Sequence, residues 1–211
     1  MVKVFVLGAT GGTGRAVVSR AVAAGHDVTV LVRDPARRAC TSWGGAHVVV
    51  GDATDPEVLR EGVRGREVVL SAIGSRDLRH PIELTVTAAL LSAIATGEVR
   101  RLIVCSAFGV GATLQDAAER QRQFFTTTLR HVFEAKARAD AAVRNSGLDW
   151  TLVYPTRLTD APEEGPFRVA EHFTGAGQIS RAAVAAFMVD QIGSSAWSRK
   201  TAIITSASHE H

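Results

Sequence analysis

The sequence predicts one α/β domain of the doubly wound kind: a parallel sheet in strand order 3-2-1-4-5-6, one further C-terminal strand, and helices on both faces. Three observations predict it. Six short apolar, β-branched runs, at residues 2–7, 27–32, 46–50, 67–73, 101–106 and 149–154, read as strands buried on both faces. Stretches of helical period separate most of these runs, the alternation that builds a parallel sheet. The length of 211 residues suits one well-filled domain spanning residues 1–211 and is too short for two.

The first run, with Val2, Val4, Phe5, Val6 and Leu7, leads straight into Gly8, Gly11 and Gly14, spaced G-x-x-G-x-x-G, and then into an Ala/Val-rich helical stretch. A glycine turn between a buried strand and a helix N-terminus suits a pyrophosphate. Backbone N–H groups and the helix dipole favour the anion, and the missing side chains let it come close. Gly12 belongs to the same turn, and Thr10 and Thr13 add hydroxyls for capping the helix or holding a phosphate oxygen. No Gly-Lys-Ser/Thr follows, which excludes a P-loop. The stretch reads as a dinucleotide site, and the domain as Rossmann-type.

The first helix is expected over 13–24, stopped by Gly25. Arg33 stands at the end of the second strand, about twenty positions after the glycines, where this class of sheet meets the adenosine ribose. Its guanidinium suits the 2′-phosphate of NADP(H), with Arg37 and Arg38 close behind, while Asp34 argues for the 2′-hydroxyl of NAD. After the third strand, Asp52 and Ala53 lie where an adenine is met, Asp52 reading nearly as well as a plain turn residue. Thr54 or Asp55 then caps a short helix that has Pro56 in its first turn. Ser71, Ala72 and Gly74, at the end of the fourth strand, are small enough for the nicotinamide half of a cofactor to lie against the backbone. A helix over 81–96 places Leu84, Ala88, Leu91 and Ala95 on one face, and the fifth strand follows.

Residues 107–127 break the rhythm, with Gly109, Gly111, a charged run and then Phe124 and Phe125. At the carboxyl edge of the sheet this segment is expected to be a substrate lid, or equally a solvated helix capping the domain. A helix over 127–145 and the sixth strand come next, then an irregular substrate-side segment over 155–180. Ser180 is expected to cap a helix to about 192, and residues 201–205 to form the last strand.

Composition narrows the class. Lys and Arg number 24 against 21 Asp and Glu, a net charge of +3, and are scattered, so no nucleic-acid patch is expected. Neither a twenty-residue apolar span nor a signal peptide is visible, so no membrane association is expected and a cytoplasmic location is. Cys40 and Cys105 then read as free thiols. His209 and His211 are too few for a metal site, and no metal is expected. The long helices leave both a monomer and a homodimer open.

Five segments carry a family resemblance: G-A-T-G-G-T-G at 8–14, V-T-V-L-V-R-D at 28–34, H-V-V-V-G-D at 47–52, C-S-A-F at 105–108 and N-S-G-L-D-W-T at 145–151. In this order and spacing the chain resembles the atypical short-chain dehydrogenase/reductases of the NmrA-like NAD(P)-binding group, over about residues 2–160. The second, third and fourth segments narrow the likeness to the branch of flavin reductases, also called biliverdin-IXβ reductases. The resemblance implies that Gly8, Thr10, Gly11, Thr13 and Gly14 hold the pyrophosphate. It places Arg33 and Arg37 at the 2′-phosphate, Asp52 and Ala53 at the adenine, and Gly74, Ser75 and Arg76 along the ribose and pyrophosphate. Ser106 falls beside the nicotinamide and the acceptor, and Tyr154, Pro155 and the residues to Arg157 close over the nicotinamide.

Two departures bear on the chemistry. Ordinary short-chain dehydrogenases use Tyr-x-x-x-Lys as a proton relay; here Val132 stands four residues before Lys136, and the chain's one tyrosine is Tyr154. Arg157 stands where the flavin reductases carry histidine; it stays charged, so it suits anchoring an anion and not giving up a proton. The expected function is an NADPH-dependent reductase of a flat conjugated acceptor, a flavin, quinone or tetrapyrrole-like molecule, whose delocalised charge lessens the need for a built-in acid. Ser106 and Arg157 are its candidate catalytic residues; Phe108, Phe124, Phe125 and Arg157 its candidate substrate contacts. Two alternatives stand beside it: a reductase or isomerase tailoring an aromatic natural product, and an NADP-binding redox sensor without turnover.

Overall fold

The computed structural model describes residues 1–34, 36, 43–95, 97–161, 166–175 and 177–207. Along the chain run β1 (Lys3–Leu7), α1 (Gly12–Ala23), β2 (Asp27–Val32), β3 (His47–Val50), α2 (Pro56–Val63), β4 (Val68–Ser71), α3 (Glu83–Ile94) and β5 (Arg101–Cys105). They are followed by α4 (Glu119–Thr127), α5 (Arg130–Arg144), β6 (Asp149–Pro155), β7 (Arg157–Thr159), β8 (Phe167–Ala170), β9 (Gln178–Ser180), α6 (Arg181–Asp190) and β10 (Lys200–Ser206). The main sheet has the order β3-β2-β1-β4-β5-β6-β10-β8. All of its pairings are parallel except the last, in which β8 runs antiparallel to β10. The expected order and C-terminal strand are present.

Alternation along the strands sorts the core into two layers. From β1, Val4 and Val6 point to one side, where they join Val17 and Val18 of α1 and Val184 and Met188 of α6. Phe5 and Leu7 point to the other, with Leu59 of α2, Val86 and Leu90 of α3, and Val143 of α5. The central strands are therefore apolar on both faces, the reason their sequences show no polar alternation. A buried charge ties strands of this frame together. The Arg101 guanidinium donates to Asp149 Oδ1 at 2.8 Å, to Thr151 Oγ1 at 2.7 Å and to the Gln191 carbonyl at 3.3 Å. Those partners make the burial tolerable.

The structure corrects some local expectations and decides between others. The α1 N-cap is Gly11, with no side-chain bond, so neither Thr10 nor Thr13 caps the helix. Asp55 is the cap of α2, accepting from the Glu57 N–H. On α3 the buried positions are Glu83, Val86, Ala89, Leu90, Ala93 and Ile94, while Ala88 and Ala95 are exposed and Leu84 and Leu91 half-buried. That helix is apolar nearly all round and packs between α2 and α5, so apolar spacing alone could not fix its inner face. The segment taken as irregular after β6 holds three short strands: β7 pairs with β9 in a small second sheet, and β8 extends the main one. Runs of three or four residues between prolines and glycines are too short to show a period. Residues 107–127 contain a 3-10 turn at Gly111–Leu114 and then α4, and the Gly175 N–H donates to the Asp116 carbonyl at 2.8 Å.

Candidate functional site

Six parallel strands deliver Gly8, Arg33, Asp52, Ala72, Ser106 and Thr156 to one edge of the sheet, the end where open α/β sheets bind their ligands. The glycine turn is closed on itself, with the Gly11 N–H donating to the Gly8 carbonyl at 3.0 Å. A Cβ on Gly14 would fall 2.0 Å from the Gly8 oxygen, and one on Gly8 2.4 Å from the Ala72 oxygen. Gly8 also holds φ +76°, which side-chain-bearing residues rarely adopt. The first turn of α1 carries no acidic residue. Close backbone packing and an uncapped, uncompensated helix start form a cradle that fits a pyrophosphate.

Arg33 is exposed beside Asp52, whose carboxylate it stabilises. Asp52 accepts from the Thr54 N–H at 2.8 Å and the Thr54 hydroxyl at 2.7 Å; with these bonds first and Arg33 adding to them, its pKa lies below the ordinary aspartate value. The 2′-phosphate and adenine candidates are thus neighbours. Ala53 is half-buried, and Arg37 lies outside the described residues. Gly74 and Arg76 are exposed. Ser75 is anchored from behind: its N–H donates to Glu83 Oε1 at 3.0 Å, its hydroxyl donates to Glu83 Oε2, and the Ser75 Oγ in turn accepts from the Ile82 N–H at 2.8 Å.

A small pocket opens between the ends of β4 and β5 and helices α3 and α5, lined by Ile73, Glu83, Ser106, Lys136 and Asp140 among others. One side of its polar wall is a hydrogen-bonded network centred on Asp140. Ser106 Oγ donates to Asp140 Oδ2 at 2.7 Å, and the Tyr154 hydroxyl donates to the same oxygen at 2.7 Å. Arg144 donates to the Tyr154 oxygen at 3.2 Å. Asp140 is 2% exposed, and burial raises its pKa against the bonds from Tyr154 and Ser106 and the charges of Lys136 and Arg144. Burial, then the Asp140 charge, likewise pushes the Tyr154 hydroxyl up. Lys136 is largely buried and lies 3.8 Å from Glu83. Burial also pushes the Cys105 thiol up to about 11, which leaves it unreactive.

The structure brings the glycines, Arg33, Asp52, Ser75 and Ser106 to one edge, and places others elsewhere. The Tyr154 ring is buried in the α2–α3–α5 layer and only its backbone reaches the sheet end. Phe108 is core, edge-on to Phe173 at 5.5 Å; Phe125 stacks on Phe133 at 4.7 Å, and Phe124 is about half exposed. Arg157 is exposed and donates to Gln178 Oε1 at 2.6 Å. Sequence reasoning missed Glu83, Asp140 and Arg181. Arg181 opens α6, donates to Asp160 Oδ1 at 2.8 Å, and runs its side chain along the glycine turn, so that a Cβ on Gly12 would meet its Cδ at 2.8 Å. The spacing of Lys136 and Asp140, one helical turn apart, was the available signal for the second of these.

Among the described residues no helix is long and apolar enough to cross a membrane, and no cluster suits a metal ion. A family model described as NAD(P)H-binding matches residues 8–195. The uncharacterized sugar epimerase YhfK of Bacillus subtilis strain 168 is 27% identical over 190 residues, 87% of this chain and 84% of that one. Eugenol synthase 1 of Petunia hybrida is 28% identical over 159 residues, 72% of this chain but 47% of that one. Among solved structures, the ChuY anaerobillin reductase of Escherichia coli O157:H7 superposes with a TM-score of 0.85 at 20% identity, covering 99% of both chains. A short-chain dehydrogenase/reductase of Veillonella parvula DSM 2008 in complex with NADP gives 0.84 at 18% identity, over 100% of this chain and 97% of that one. These two share the fold.

Proposed function

The chain belongs to the NAD(P)H-binding family, and on that premise we propose that it is an NADPH-dependent reductase delivering hydride to a flat conjugated acceptor such as a flavin, a quinone or a tetrapyrrole-like molecule. The observation that carries the reading is the pocket at the ends of β4 and β5, which presents Ser106 and Lys136 without a tyrosine relay. Where Tyr-x-x-x-Lys would put its tyrosine, the buried Val132 stands. An acceptor that spreads incoming charge over a ring system suits such a site better than a simple ketone.

The glycine turn would hold the pyrophosphate, with Arg181 as the cation laid along it. Arg33 would take the 2′-phosphate, Asp52 and Ala53 the adenine, and the backbone from Ala72 to Arg76 the ribose. Ser106, Tyr154 and Pro155 would border the nicotinamide, the last two through their backbone. The bound cofactor supplies the hydride. The protein's part is to place donor against acceptor, exclude water and offer a hydroxyl at Ser106. Arg157, held by Gln178, would anchor an anionic substituent at the open side. Phe124 is the aromatic residue placed to meet an acceptor from the α4 side.

The E. coli neighbour is named as a reductase, which supports the reaction class. The petunia eugenol synthase and the phenylcoumaran benzylic ether reductase of Pinus taeda favour a second reading, reduction of an aromatic natural product in the same pocket. The test is loss of reduced-nicotinamide absorbance with FMN, riboflavin and a simple quinone, NADH run beside NADPH. Acceptor-dependent oxidation that prefers NADPH supports the first reading. Tight NADPH binding without turnover moves the weight to a narrow-substrate tailoring enzyme or a sensor.

A further inference from the structure

We propose that Asp140 and Ser106 form a proton relay, in which the Asp140 carboxyl stores the proton that the Ser106 hydroxyl hands to the reduced acceptor. The inference rests on the reductase reading and names the acid that reading lacks. An acceptor that has gained a hydride from a reduced nicotinamide carries a new electron pair on an oxygen or nitrogen. That atom takes the proton of Ser106 Oγ–H as Ser106 takes the proton of Asp140. The products are the fully reduced acceptor, an intact Ser106 hydroxyl and an Asp140 carboxylate, which regains its proton from water in the pocket.

The geometry gives this transfer a direction. Two hydroxyls converge on the one oxygen Asp140 Oδ2, Ser106 and Tyr154, each at 2.7 Å. Once Oδ2 carries a proton, that proton can point to only one of them. The Tyr154 oxygen already accepts from Arg144 at 3.2 Å, which keeps its own hydrogen turned toward Asp140. Ser106 is the hydroxyl free to reverse, and it lies with Asp140 in the pocket wall.

The charge balance around Asp140 agrees. Lys136 and Arg144 on its own helix favour the carboxylate, as do the bonds from Ser106 beyond β5 and Tyr154 of β6, and Cys105 faces it as a neutral thiol. Glu83 from α3 sits opposite Lys136 and offsets part of that charge. Burial outweighs these, and the carboxyl holds its proton above the ordinary aspartate range.

Two readouts test the relay. Infrared spectroscopy of the cofactor-free protein should show a protonated-carboxyl band that titrates above the ordinary aspartate range and is absent from Asp140→Asn. With an acceptor in hand, single-turnover formation of the protonated, fully reduced acceptor should slow as pH rises through the same titration and show a solvent deuterium effect. Asp140→Asn should lose that limb and about a hundredfold in rate, with NADPH affinity unchanged. Tyr154→Phe, which removes one donor to the carboxylate, should move both band and limb to higher pH. An Asp140 ionised throughout, or Asp140→Asn with rate and limb intact, overturns the relay and leaves the reductase standing. Failure of the wild type to reduce any acceptor removes the reductase reading and the relay together, a different result from either.

Discussion

The two halves of the sheet edge are made differently. At β1 the site is backbone: Gly8, Gly11 and Gly14 pack carbonyls and amides so tightly that a Cβ would come within 2.0 Å of the Gly8 oxygen. At β5 and β6 it is side chains: Ser106, Asp140, Tyr154 and Arg144 meet over separations of 34, 14 and 10 residues. One half works by what is absent and contiguous, the other by what is present and brought from afar. A site of the first kind depends on a few contiguous residues, whereas one of the second kind can be altered by a single distant substitution.

The comparison breaks most sharply at Gly14. Gly14→Val adds bulk where none fits, at a cost of about 2–3 kcal/mol, so NADPH affinity should fall by about a hundredfold. Fluorescence titration measures it, and circular dichroism checks the fold; undiminished affinity would show that the turn does not bind the pyrophosphate. Arg33→Ala should weaken NADPH about tenfold and leave NADH nearly unchanged, through loss of charge-assisted bonds to the 2′-phosphate. Equal losses for both cofactors would remove that assignment.

Arg181→Gln probes a cation that the C-terminal half lends to the glycine turn. It should weaken NADPH and NADH alike by about fivefold, or about 1 kcal/mol. A loss confined to NADPH would place Arg181 at the ribose phosphate instead.

The smallest effect belongs to the side-chain half. Asp140 binds its proton more tightly folded than unfolded, so between the two pKa values the native state holds more protons. Stability is then greatest below that window and declines as pH rises through the folded pKa. The melting temperature should drop over this range, and Asp140→Asn should flatten the slope. A wild-type slope unchanged in Asp140→Asn would mean that another group titrates.

What could be read from the sequence follows the same division. The strands and the glycine turn were visible because each is specified within a few neighbouring residues: apolar runs, glycine spacing, an arginine at a strand end. The strand order and the site edge followed from that pattern. Asp140 was hidden because a buried carboxylate looks, in a helix that also carries Arg130, Glu134, Lys136, Arg138 and Arg144, like any solvated charge. Glu83 was hidden for the same reason, and its anchoring of Ser75 depends on α3 turning a face that the apolar pattern did not identify. Tyr154 was assigned to the cofactor because its strand ends there, yet its ring is buried in the α2–α3–α5 layer, where its hydroxyl donates to Asp140.

The place of β10 has a consequence for how the chain is assembled. It lies between β6 and β8, so the interior of the sheet is completed by residues 200–206, and β8, synthesised earlier, has its partner only once they arrive. On the ribosome, β1, β2 and β4 can pair as soon as residue 71 has emerged. The nucleotide-binding half is then a candidate early folding unit, and the acceptor half a late one. During that interval the free flank of β6 is an open edge, the stretch of this protein most in need of protection while it is being made.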